Sequence, residues 1–293
     1  MDSERLARIR KLAIIALVSD DELMDSLVLK GGNAIALIHG ITARESLDLD
    51  FSLETDFPDP DCDALRRRFE GLLVRTFAEE GYAVFDVRVS PEPPHLTPDM
   101  ADFWGGYRLE FKVIQSSKIP TAGRNLESLR RRAEVVGPRQ RRTFRIDISK
   151  FEYSQPKEEK QIEGYSVFVY TPAMLVCEKL RAICQQTPEY REIVRSRGAS
   201  ARARDFFDIH GLVERFRIDL ASRDNTALLR AMFAAKRVPL HLLGHIAEYR
   251  EYHRADFPAL EATVAPAARL KGFDFYFDYV LALVAKLEPL WDV

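Results

Sequence analysis

The most constraining feature of this chain is a glycine pair followed by a pair of acids: Lys30-Gly31-Gly32, a short helical stretch, then Ser46-x-Asp48-x-Asp50. Residues 47–53 alternate, so a strand there turns Asp48, Asp50 and Ser52 to one side and Leu47, Leu49, Phe51 and Leu53 to the other. Two carboxylates at i and i+2 then sit a few ångströms apart and repel, an arrangement a cation between them relieves. A hard divalent ion, Mg²⁺ or Mn²⁺, with triphosphate oxygens completing its shell, meets that need. Paired glycines let the backbone approach phosphates closely, and the helix start behind them adds a favourable dipole. Taken alone, the alternation equally suits an amphipathic edge strand showing its acids to water. The preceding glycines, the intervening helix and a second acidic strand argue for the site.

That second strand is Thr143-Phe144-Arg145-Ile146-Asp147-Ile148-Ser149. Its alternation puts Arg145, Asp147 and Ser149 on one face, and lying beside 47–53 it brings Asp147 to the acid pair. Asp48, Asp50 and Asp147 are the candidate metal ligands, with Asp147 on the side of an attacking hydroxyl. Lys30, Gly31, Gly32 and Ser46 are candidates to cradle the nucleotide phosphates, although Lys30 equally marks a strand end.

Around these motifs, residues 3–24 read as one amphipathic helix rather than a signal peptide, and Asn33 as the cap of a helix closing at Gly40. Residues 61–80 read as a helix, with strands at 82–89 and 106–114. Thr171-Pro172 opens a helix carrying Glu178 and Lys179, and helical periodicity dominates to residue 287. The expected class is α+β, with residues 1–160 holding the sheet and 161–293 a mostly helical unit. Three scattered cysteines, with Cys177 and Cys184 on one helix face, fit a reducing cytoplasm, and no apolar stretch is long enough to span a bilayer.

LVLKGGNAIALIHG followed by SLDLDFS resembles the AbiEii/AbiGii-type toxin nucleotidyltransferases, a branch of the polymerase-β-like superfamily. FRIDIS at 144–149 is similar to that family's third-carboxylate strand, VYTPAMLVCEKLRAI at 169–183 to its Glu-Lys helix, and ARARDFFDI at 201–209 to its R-D-x-x-D motif. The likeness spans most of residues 27–215 and departs at Asn33, where threonine is usual, and in a longer arginine-rich stretch before residue 143. It implies a polymerase-β-like mixed sheet flanked by helices and metal-dependent transfer of a nucleoside monophosphate from an NTP to a hydroxyl. It further implies the tRNA 3′ end as acceptor, a toxin with a cognate antitoxin or a phage-defence role, and Lys179 and Asp205 as members of the catalytic set. An ammonium buried at Lys179 wants an anion, either a nucleotide phosphate or Asp205; Asp208, on nearly the same face, is either a partner that orients it or an exposed helix charge.

The net charge is only −2, yet 32 of the 43 basic residues are arginine and they are bunched. Residues 124–145 hold eight arginines and 191–204 five, which suits a polyanionic partner such as RNA. Arg130, Arg131, Arg132, Arg139, Arg141 and Arg142 are the candidate RNA contacts, with Tyr153 and Tyr165 able to stack on a base; a solvated helix face explains residues 124–132 equally well. One other enzyme competes on motif grounds, against the plainer readings of an amphipathic strand at 109–113 and a helix-surface cluster at the histidines. Asp99 with Glu110 and Lys112 has PD-(D/E)xK nuclease spacing, while His241 and His245 lack the zincin glutamate because Leu242 stands there, leaving a metal cluster with Glu248, Glu251 and His253. The non-catalytic alternative is a pseudoenzyme that binds RNA or protein, against which the intact Asp48, Asp50, Asp147 and Lys179 speak.

Overall fold

The computed structural model describes residues 3–41, 48–119, 125–137, 139–195, 198–264 and 269–291. Ser46 and Leu47, Arg124 and Arg197 lie outside the described residues. Seven strands form one mixed sheet: β1 (Val28–Lys30), β2 (Leu49–Ser52), β3 (Tyr82–Glu92), β4 (Gly106–Gln115), β5 (Phe144–Ser149), β6 (Glu158–Ile162) and β7 (Tyr165–Val169), in the order β3-β4-β5-β2-β1-β7-β6. β2 runs antiparallel to β1 and parallel to β5, and β1 runs parallel to β7.

The alternation read from the sequence is what the sheet uses. Leu49 and Phe51 of β2 and Phe144, Ile146 and Ile148 of β5 are buried, while Asp50, Arg145 and Asp147 are half-buried on the other face. β2 is shorter than the alternating stretch, and its Ser52 is buried in a hydrogen bond with the Tyr170 hydroxyl at 2.8 Å.

α1 (Ser3–Val18) and α2 (Cys62–Glu79) pack together, with α2 against β3. The single helix expected over 3–24 breaks at Ser19-Asp20, because Asp20 caps a separate helix Asp21–Ser26 by accepting from Leu23 N at 3.1 Å. Every residue from Leu12 to Val18 is buried, so the second half of α1 is enclosed rather than amphipathic. Asn33 does not cap the helix expected after it. That helix starts at Gly31, runs on as a π-turn over Ala34–Ile38, and leaves Asn33 Nδ2 to donate to Asp48 O at 2.6 Å.

The helical half begins where Thr171 caps α3 (Pro172–Cys184), accepting from Met174 N at 3.2 Å. α3 packs against α4 (Ala203–Phe216) and α5 (Arg223–Ala234), and α6 (Phe273–Ala285) against α4. The last contact turns on Phe206, whose ring stacks on Phe277 at 4.9 Å; burying such a side chain stabilises by about 1.5–3 kcal/mol. The division expected at residue 160 falls inside β6, and the β6–β7 hairpin pairs back onto β1, so the sheet continues across it. Among the described residues no helix is long and apolar enough to cross a membrane.

Candidate active site

The parallel pairing of β2 and β5 sets Asp50 opposite Asp147, one strand spacing of about 4.8 Å away. The antiparallel pairing of β1 and β2 sets Lys30 opposite Asp50. Gly31 follows with φ +69°, and a Cβ there would stand 2.5 Å from Asp50 Oδ2. Glycine is therefore required twice at this point, for the backbone angle and for the carboxylate pressed against it. Burial, with Glu178, Asp147 and Asp48 adding to it against Lys30, pushes the Asp50 carboxyl up to about 7.

Lys30 is buried, with Nζ 2.9 Å from Glu178 and 3.3 Å from Glu152. Burial works against its charge, but these two carboxylates outweigh it and hold the ammonium above its ordinary range. Glu152 also accepts from Arg181 at 2.7 Å and stands 3.7 Å from Lys236. Its own burial is overcome by Arg181, Lys236 and Lys30, which keep it well below the usual carboxylate range. Lys236 Nζ donates to the carbonyls of Phe103 and Lys150, and burial, helped by Arg181 and Lys30, lowers it to about 8.

These groups line a cleft of about 860 Å³ that also takes in Gly31, Gly32, Asp147, Lys179 and Asp205. On the helical wall Lys179 Nζ lies 3.0 Å from Asp205 Oδ1 and 2.7 Å from Asp208 Oδ2, so Asp208 does orient it. Asp205 Oδ2 is buried without a hydrogen bond, 3.8 Å from Arg202. Asp147 accepts from Arg108 at 2.8 Å, and Arg108 reaches Glu92 at 2.7 Å.

Asp48 stands apart from this arrangement. It is absent from the cleft lining, and Arg141 Nη2 holds its Oδ1 at 2.7 Å. Among the described residues no three carboxylate, histidine or cysteine side chains converge as a ready-made metal cluster. The donor chemistry nonetheless suits a hard cation: Asp50 and Asp147 offer carboxylate oxygens side by side in the cleft.

The fold thus brings Lys30, Gly31, Gly32, Asp50, Asp147, Lys179 and Asp205 to one cleft. It shows five further lining residues that the motifs did not single out as functional: Arg108, Glu152, Glu178, Arg181 and Lys236. Of these only Glu178 carried a signal, as the neighbour of Lys179.

Of the candidate RNA contacts, Arg130 is committed to Asp86 and Glu127, Arg141 to Asp48, and Arg142 donates to the Ala133 carbonyl; Arg131, Arg132 and Arg139 are exposed. Tyr165 is exposed and Tyr153 half-buried against the core. Glu110 is paired with Arg145 at 2.9 Å and Lys112 with Asp86 at 2.8 Å, and neither they nor Asp99 line the cleft. His241 and His245 are taken up by Glu189 and Glu248, while His253 lies buried and accepts from Arg202 N at 3.1 Å.

Residues 14–279 match the protein-family model described as nucleotidyl transferase AbiEii toxin, type IV TA system. Among solved structures, the chain is similar to a Helicobacter pylori protein provisionally assigned as a nucleotidyltransferase, at 16% identity over 99% of both chains with a TM-score of 0.50. Helicobacter pylori JHP933 matches at 18% identity over 99% of this chain and 94% of its own, with a TM-score of 0.48. MenT4, a nucleotidyltransferase toxin of Mycobacterium tuberculosis, matches at 17% identity over 97% and 83%, with a TM-score of 0.45. No curated protein matches the chain in sequence.

Proposed function

The chain belongs to the AbiEii nucleotidyltransferase toxin family of type IV toxin–antitoxin systems, and from that premise we propose that it transfers a nucleoside monophosphate from an NTP to the 3′-terminal hydroxyl of tRNA, with a divalent metal ion. An NTP-dependent nucleotidyltransferase activity and a cognate antitoxin come with the family. The observation that carries the finer reading is the pairing of Asp50 with Asp147 across two parallel strands, beside Gly31 and facing Lys179 across one cleft.

In this reading Asp50 and Asp147 would hold the metal, and Asp48 would join them only if released from Arg141. A bound Mg²⁺ or Mn²⁺ supplies charge neutralisation on the triphosphate and lowers the pKa of a coordinated hydroxyl. The backbone at Gly31 and Gly32 lies close enough to the carboxylates for its N–H groups to receive phosphate oxygens. Lys179, steadied by Asp205 and Asp208, turns to the phosphates as charge builds on the leaving pyrophosphate. The acceptor hydroxyl would approach on the Asp147 side, where that carboxylate would accept its proton as the oxygen bonds the α-phosphorus and pyrophosphate leaves. Asp205 Oδ2, buried without a hydrogen-bond partner, is free to accept from a substrate hydroxyl.

Incubation with each α-labelled NTP, Mg²⁺ and total tRNA tests this. Label should appear on tRNA, depend on the metal, and vanish with Asp50→Asn. Label on the protein itself, or on no RNA at all, would overturn the acceptor assignment.

A further inference from the structure

The two arginine runs are not equivalent in the fold. In the first, Arg130, Arg141, Arg142 and Arg145 are committed to partners within the chain. Its helix, Leu126–Arg132, is tied by Arg130 to Asp86, which also holds Lys112 of β4. Lys112 lies four residues along β4 from Arg108, the residue that touches Asp147, which places it about 13 Å from the cleft. Among the described residues, no arginine of this run lines the cleft.

The second run begins in the cleft wall itself. Ser200, Ala201, Arg202 and Arg204 all line it, and the Nε atoms of Arg202 and Arg204 are buried without hydrogen-bond partners. Arg202 stands 3.8 Å from Asp205 and Arg204 3.4 Å from the Ala259 carbonyl, with the Asp256 carboxylate close enough to feel both charges. Further out, Arg191 and Arg195 are exposed, their side chains without a hydrogen bond or ion pair among the described residues, and share a shallow concavity with Pro188 and Glu192. The nearby Glu189 is occupied by His241 at 2.6 Å.

The helix before the cleft and the chain at Ser200 are both anchored. Thr187 caps the helix Pro188–Ile193, the fully buried Tyr190 donates to the Lys236 carbonyl at 2.7 Å, and Ser200 N donates to Gln186 Oε1 at 2.9 Å. Guanidinium groups in the wall of the cleft, with two exposed ones shortly before them in the chain, form an arrangement suited to a nucleic-acid backbone.

We infer that the acceptor RNA enters along the Pro188–Arg204 side of the cleft, with Arg202 and Arg204 meeting the phosphates nearest the reacting end and Arg191 and Arg195 those beyond. The inference rests on RNA being the acceptor. It assigns the contacts to a run other than the one whose density stands out in the sequence.

The test is filter binding of total tRNA to the full chain from 50 to 300 mM salt. Because each lost phosphate contact flattens the plot of log affinity against log salt, Arg191→Ala/Arg195→Ala should reduce its slope by about 1.5. The same variant should raise the KM for tRNA and leave kcat unchanged, while Arg131→Ala/Arg132→Ala should match wild type. Since neither Arg191 nor Arg195 is buried or paired, the melting temperature should not move. An unchanged slope for Arg191→Ala/Arg195→Ala, with wild type binding tRNA, would overturn the entry path and leave the acceptor standing. Wild type that binds no tRNA, yet transfers nucleotide elsewhere, would overturn both.

Discussion

At Gly31 the backbone angle and the space beside it make separate demands, and a second glycine lets them be measured apart. Gly31 and Gly40 share a φ of +69°, but a Cβ at Gly40 meets nothing within 4 Å whereas one at Gly31 meets Asp50 Oδ2. Alanine at either position should cost about 1–2 kcal/mol from the left-handed backbone alone. Only Gly31→Ala should also displace the Asp50 carboxylate and lower nucleotidyl transfer by about 100-fold or more. Urea unfolding and a transfer assay on both variants decide it: equal activity in the two would mean that Asp50 has no closely fitted role. Asp50 and Asp147 were legible in the sequence because strand alternation fixes the face of a side chain once its neighbours are apolar. Glu152 was not, because it follows the end of β5 in irregular chain where no period marks it. The Arg141–Asp48 contact escaped for a related reason, since nothing in the spacing of residues 93 positions apart announces that they meet.

At the scale of elements, α4 presents Asp205 to the cleft wall while its Phe206 packs on the helices behind. The short helix Arg250–Arg254 closes against the start of α4, its His253 accepting from Arg202 N and packing on Phe206 at 5.2 Å. Burial, with Arg202 adding and Asp205 opposing, lowers His253 to about 4. Below about pH 6.5 the unfolded chain gains a proton on this histidine that the folded chain refuses. Stability is therefore lost as pH falls from about 6.5 towards 4, by on the order of 3 kcal/mol at most, and the histidine contributes no pH dependence above that window. His253→Asn keeps an acceptor for Arg202 N and should flatten the dependence of the urea midpoint between pH 7.5 and 5 relative to wild type. Identical slopes would show that His253 titrates normally. The helices here were readable from Thr-Pro and 3.6-residue periodicity, but the aromatic cluster that joins α4 to α6 depends on which helix faces meet, a tertiary property.

The molecule as a whole is joined beneath the cleft by Glu152, which gathers Lys30 from the end of β1, Arg181 from α3 and Lys236 from beyond α5. The glycine motif and the helical wall are held to each other through this carboxylate and through the direct Lys30–Glu178 pair. Glu152→Gln removes the charge that three buried cations share and should destabilise by about 3–5 kcal/mol. Breaking the largely exposed Arg8–Glu163 pair with Arg8→Ala should cost under about 1 kcal/mol, so comparable losses in urea unfolding would refute the network's role. The α+β class and the helical second half were visible as a change of texture along the chain. The return of β6 and β7 to the sheet was not, because a pairing to β1 across more than a hundred residues leaves no local mark. The central claim is that Asp50 and Asp147, opposite one another on adjacent strands, form one catalytic centre with Lys179. Labelled-nucleotide transfer by Asp147→Asn tests it most directly, since this residue is reached only through the strand pairing. A loss of about 100-fold or more, matching Asp50→Asn at unchanged stability, is the expected result. Wild-type transfer by Asp147→Asn would contradict it.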